Sequence, residues 1–98
     1  MNRPKRPRAI RAKSAAESWS KIDEMKRRIV TRFHPEMIVL LGSFARETAG
    51  PDSDVDLLVV MAVSGSKREK IVEIRIALSD INVPKDVIVA TPDEVKRF

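Results

Sequence analysis

The sequence predicts a small α/β domain, a mixed β-sheet with helices packed against it, from the following observations. Three short runs of β-favouring apolar residues, Met37–Leu41, Val55–Met61 and Asp86–Ala90, are bounded by turn-forming residues and are too brief for helices. Between them lie stretches whose apolar residues recur every three or four positions, the period of one helix face. The resulting order is α, β, short α, β, α, β and the start of an α, an alternation that belongs to sheet-and-helix layers rather than to a bundle or a sandwich.

Each element has its own justification. Ser14 and Glu17 have the spacing of a capping box, which predicts a helix from Ala15 to Phe33 with Ala15, Trp19, Ile22, Met25, Ile29 and Phe33 on its core face. Pro35 disfavours helical geometry at His34 and ends it, so the lone histidine is a helix-end residue rather than a catalyst. Met-Ile-Val-Leu-Leu at 37–41 is apolar throughout and stopped by Gly42, which predicts a strand buried on both faces. Ser43 to Thr48 fits a short helix, and Ala49-Gly50-Pro51-Asp52-Ser53 is turn chemistry. Val55–Met61 is the second buried strand. Ser66 and Glu69 repeat the capping spacing before Ile71, Ile74, Leu78 and Ile81, the inward stripe of a helix of about four turns. Pro84 closes that helix, Asp86–Ala90 is a third buried strand, and Thr91-Pro92-Asp93-Glu94 places an N-cap, a first-turn proline and a capping glutamate in order. Trp19 belongs to the core or to an interface rather than to a base-stacking platform.

Composition bounds the reading. A chain of 98 residues has room for one domain, which buries about 60–65 % of the surface its unfolded form exposes. That leaves no space for a separate acceptor-binding domain. No apolar run approaches the roughly 20 residues of a membrane span. The absence of cysteine excludes disulfides and thiolate metal sites, and the first residues lack a secretory apolar stretch, so a cytoplasmic protein is expected. The net charge of +5 is unevenly distributed: residues 1–13 carry Arg3, Lys5, Arg6, Arg8, Arg11 and Lys13 with no acid, leaving 13 basic against 14 acidic residues elsewhere. The expected organisation is therefore a basic disordered arm, 1–13, ahead of a near-neutral domain, 14–98. The arm is either solvated or a contact for nucleic-acid phosphates.

The chemistry concentrates between Gly42 and Val60. A Gly-Ser pair between a strand and a helix offers backbone N–H groups and a hydroxyl at one point, which suits phosphate, although the lysine-bearing P-loop pattern is missing. Asp54 and Asp56 stand two apart at the mouth of a strand, on one face, where their mutual repulsion is relieved by a hard cation such as Mg²⁺. Asp86 heads the third strand and completes a three-carboxylate site if that strand lies beside the second.

A buried strand, Gly42-Ser43, ten intervening residues, Asp54-x-Asp56 and a later strand aspartate together resemble the nucleotidyltransferase superfamily that includes DNA polymerase beta. The wording GSFAR…PDSDVDLLVV and the short length are similar to the minimal nucleotidyltransferases, antitoxin partners of HEPN-domain ribonuclease toxins. The resemblance covers Met37 to Ala90 and implies the polymerase beta-like fold. It implies that Gly42 and Ser43 hold the triphosphate of ATP and that Arg46 neutralises phosphate charge. Asp54, Asp56 and Asp86 would ligate two Mg²⁺ ions, with Asp86 helping to activate the attacking hydroxyl. Glu47 departs from the glycine common after that arginine. The implied reaction moves AMP from ATP to a hydroxyl of the partner toxin, a tyrosine by expectation; self-modification on tyrosine is excluded, since the chain has none. Two alternatives stand beside it: a catalytically weak antitoxin that neutralises by binding, and a nucleic-acid-binding protein that uses its basic arm.

Overall fold

Three strands form one sheet in the order β1-β2-β3, with β1 at Met37–Leu41, β2 at Val55–Val60 and β3 at Lys85–Ala90. The structure, a computed structural model, describes residues 5–46, 49 and 53–97. β1 runs antiparallel to β2, pairing Leu41 with Asp56 and Met37 with Val60. β2 and β3 are parallel, pairing Asp56 with Asp86 and Val60 with Ala90. The sheet is thus mixed, as expected. A parallel pair needs a long crossover; here it is α3, Lys67–Ala77, while α1 at Lys5–Phe33 precedes the sheet, α2 at Gly42–Ala45 follows β1 and α4 at Pro92–Lys96 follows β3. Among the described residues no helix is long and apolar enough to cross a membrane.

The core lies between the sheet and the pair α1 and α3. Val55, Leu57 and Val59 of β2 and Val87 and Val89 of β3 meet Ile22, Met25 and Ile29 of α1 and Ile74 of α3, with Leu78 just beyond it, all buried. Each fully buried aliphatic side chain of this kind contributes about 1.5–3 kcal/mol. The two long helices run antiparallel across the same face. Lys21 reaches the Asn82 carbonyl, Arg28 the Ala77 carbonyl, and Lys70 stands over the Phe33 ring.

Because both long helices cover one face, the strands are not buried on both sides as their composition predicts. β2 alternates between buried and half-buried from Val55 to Val59, and β3 between buried and exposed. On the far face, Met37 and Ile88 are each 46 % exposed. Val39, Leu41 and Leu58 are half-buried there, and Val60 is buried. β1 is an edge strand whose Ile38 and Leu40 pack against the core.

The ends of the helices follow local chemistry. Thr91 accepts from the Glu94 amide and Glu94 accepts from the Thr91 amide, a complete capping box with Pro92 inside it, as expected. Ser66 accepts from the Glu69 amide and starts α3, which is shorter than predicted because residues 78–80 form a turn. His34 ends α1 at φ +50, its amide still bonded to the Val30 carbonyl. α1 departs most from expectation. It begins at Lys5 rather than Ala15, so its helical backbone includes residues 5–13. Pro7 falls in the first turn, where a missing N–H breaks no bond, and the following Arg, Ala and Lys residues favour helix. The Ser14, Ala15 and Glu17 side chains lie outside those described.

Candidate active site

The site is assembled by strand register. Leu41 pairs with Asp56, so Gly42, the next residue, lies against the Asp56 side chain. Gly42 adopts φ +72, and a Cβ added there would stand 2.5 Å from Asp56 Oδ2. Glycine is therefore required twice, by the left-handed backbone and by the close approach. The chain then turns through α2, closed by the Arg46 amide donating to the Gly42 carbonyl at 3.2 Å. Ser43 is half-buried in this turn, Phe44 is fully buried beneath it and Arg46 is exposed at its end. Trp19 of α1 meets Phe44 edge-on, ring centroids 5.5 Å apart at 82°. Trp19 is 41 % exposed, so it is not the core residue its helical spacing predicts; it braces the turn from the side.

Asp54 is exposed immediately before β2, and Asp56 is half-buried as its second residue. The intervening Val55 is buried, so alternation leaves both aspartates on the open face. Asp86, second in β3, stands directly beside Asp56 in the parallel ladder. Gly42, Asp56 and Asp86 thus occupy neighbouring positions at one end of the sheet. Lys85 sits on the other face, its ammonium donating to the Ile81 and Val83 carbonyls; burial, and then the charge of Arg75, hold its pKa below the ordinary lysine value.

The three aspartates do not close into one cluster. Among the described residues no group of three acidic, histidine or cysteine side chains is placed to hold a metal ion. The cause is visible at Asp86. Its Oδ1 accepts from the Val87 amide at 3.1 Å and lies 3.4 Å from Arg75 Nη1. The β2 ladder engages alternate residues of β3, since the Val55 amide bonds Pro84 and the Met61 amide bonds Ala90. The Val87 N–H therefore faces the free edge, and the carboxylate is drawn that way. The structure brings Asp56 and Asp86 to adjacent positions but turns the third carboxylate outward.

The donor set still suits a hard divalent cation. Mg²⁺ binds through one or two carboxylates and completes its shell with water and substrate phosphates. Asp56 with Asp54 supplies such oxygens beside the glycine turn. Glu47 and Thr48, and with them the departure from the family pattern, lie outside the described residues, as do Gly50, Pro51 and Asp52 of the predicted turn. Sequence reasoning missed Arg75, which has no motif around it and reaches Asp86 only through the crossover fold. The bracing role of Trp19 was hidden for a similar reason, since an exposed flank and a core stripe share the same periodicity.

Comparison with protein families matches residues 22–98 to the nucleotidyltransferase domain. A search of curated proteins finds no match to the chain. The matched segment opens at Ile22, a fully buried residue of α1, and takes in the whole sheet with Gly42, Asp54, Asp56 and Asp86. With its mixed sheet, its glycine turn against Asp56 and the Asp56–Asp86 register, the chain belongs to the nucleotidyltransferase domain family of the polymerase beta-like superfamily.

Proposed function

We propose that this nucleotidyltransferase moves AMP from ATP to a hydroxyl of a partner protein, and that the partner is a HEPN ribonuclease toxin which the transfer silences. The observation that carries the chemistry is the contact of Gly42 with Asp56 and the register of Asp56 with Asp86, which set the glycine turn and acidic oxygens side by side. The backbone at Gly42 and the Ser43 hydroxyl hold phosphate oxygens, and exposed Arg46 offsets their charge. Asp54 and Asp56 hold two Mg²⁺ ions, with Asp86 as a further ligand. When bound, such ions polarise the α-phosphate and stabilise the charge that builds on the leaving pyrophosphate.

Asp86 orients the acceptor hydroxyl and takes its proton. The acceptor oxygen bonds to the α-phosphorus, the bond from that phosphorus to the bridging oxygen breaks, and pyrophosphate leaves. Positioning supplies most of the rate in such transfers. In this reading the acceptor hydroxyl belongs to a partner protein, and the domain that matches residues 22–98 supplies the transfer chemistry. Incubating purified protein, ATP, Mg²⁺ and a HEPN ribonuclease as candidate partner should add the mass of AMP to the HEPN chain. The Asp54→Asn, Asp56→Asn pair should abolish the addition. Folded components that give no adduct would refute the reading.

A second reading is favoured by one feature, the outward turn of Asp86 onto Arg75. In it the protein neutralises its partner by covering it, with transfer weak. The same double variant separates the two: neutralisation in cells that survives the loss of both carboxylates belongs to binding, and neutralisation that disappears belongs to transfer.

A further inference from the structure

We propose that Arg75 is a latch on Asp86, holding this carboxylate off its neighbour Asp56 until a divalent cation displaces it; the proposal rests on reading Asp56 and Asp86 as metal-binding partners. Arg75 lies in α3 between Ile74, which is fully buried, and Ile76, which is 67 % exposed, so it occupies the flank of the helix that faces β3. From there Nη1 comes within 3.4 Å of Asp86 Oδ1, the oxygen that also accepts from the Val87 amide at the free edge of the sheet. Both contacts draw the carboxylate toward the edge. Asp86 is in register with Asp56, so rotation about its side-chain bonds between staggered positions exchanges the edge contacts for the Asp56 side.

Charge explains the parked position. Two neighbouring carboxylates repel, and Arg75 relieves one of them. Lys85, adjacent in sequence, is no substitute, because its ammonium is engaged by the Ile81 and Val83 carbonyls. The latch is also weak enough to open. The Arg75 and Asp86 side chains are 53 % and 57 % exposed, and exposed ion pairs contribute little. A divalent cation competes well for the carboxylate. The arrangement therefore weakens binding of the bare metal.

The test is a Mn²⁺ titration without nucleotide, followed by electron paramagnetic resonance of the free ion at low ionic strength, on the full chain and its variants. Arg75→Gln should tighten Mn²⁺ binding by about threefold or more, and Arg75→Lys, which keeps the charge, by less. In an Asp86→Asn background the Arg75→Gln change should have no effect. Unchanged or weakened Mn²⁺ affinity in Arg75→Gln overturns the latch. Equal tightening with and without Asp86 overturns it too, because the effect is then one of general charge. Failure of the underlying metal reading has a separate signature: Asp56→Asn binding Mn²⁺ as tightly as the parent. Circular dichroism confirms that each variant keeps its helices.

Discussion

Replacing Gly42 by alanine tests the junction between fold and site. The residue sits at φ +72, where an L side chain costs about 1–2 kcal/mol. Alanine returns about 0.4–1 kcal/mol by restricting the unfolded chain, leaving a net loss of about 1 kcal/mol. In a domain of this size such a loss lowers the melting temperature by about 4–8 °C. The steric effect falls elsewhere. The new Cβ would stand 2.5 Å from Asp56 Oδ2, so the carboxylate must retreat by about 1 Å to reach an ordinary contact. Displacement on that scale costs about a hundredfold in rate where geometry governs catalysis. Gly65→Ala is the control: Gly65 has φ +104 and nothing within 4 Å of an added Cβ, so it bears backbone strain without touching the site. Thermal unfolding and AMP-transfer assays should show both variants destabilised and Gly42→Ala alone inactivated. Transfer by Gly42→Ala within about twofold of the Gly65→Ala rate, against the hundredfold expected from misplacement, would refute the reasoning.

Three further outcomes follow. Thr91→Ala removes one half of the capping box of α4 and should cost about 1 kcal/mol in urea unfolding. Trp19→Ala should lose the edge-on contact with Phe44, about 0.5–1.5 kcal/mol beyond burial, while Trp19→Phe keeps part of it; urea denaturation followed by circular dichroism ranks the two. The Arg28 guanidinium donates to Asp80 and holds its carboxyl below the usual carboxylate range. A carboxyl depressed in the folded state stabilises above its unfolded pKa, and that stability is lost as pH falls through the folded value. Stability measured by unfolding from pH 6 downward should therefore fall below about pH 4, and Asp80→Asn should flatten that decline.

What could be read in advance was what rests on neighbours in the chain. β1 has the bounds its apolar run predicts, from Met37 to the stop at Gly42, because five β-favouring residues and a glycine are local facts. The cap at Ser66 and the capping box at Thr91 are likewise written within four residues. Local rules misplaced the start of α1, where the Ser14–Glu17 spacing was outweighed by good helix formers upstream and by a proline harmless in a first turn. They also placed β1, β2 and β3 inside two covering layers. Val39, Leu58 and Ile88 are apolar as a buried strand would be, yet whether a helix lies above them is decided by where the connections run. The site divided in the same way. The pairing of Asp56 with Asp86 needed only that β3 lie beside β2, whereas the turn of Asp86 toward Arg75 depends on a helix flank eleven residues earlier in the chain.

The alternation in β2 ties the chemistry to the core. Val55, Leu57 and Val59 are fully buried, and Asp56 lies between the first two on the open face. A slip of one residue would exchange the faces, pushing the Asp56 carboxylate toward Ile29 and Ile74 and bringing the three buried residues out. An unpaired carboxylate in such surroundings costs several kcal/mol, a large part of the stability of a domain this small. The penalty that fixes the strand also fixes Asp56 against Gly42 on one side and beside Asp86 on the other. Accurate placement at the open end of the sheet thus comes from the helix-covered face. Residues that never meet a nucleotide, Ile29 and Ile74 among them, act on the site by forbidding every other register.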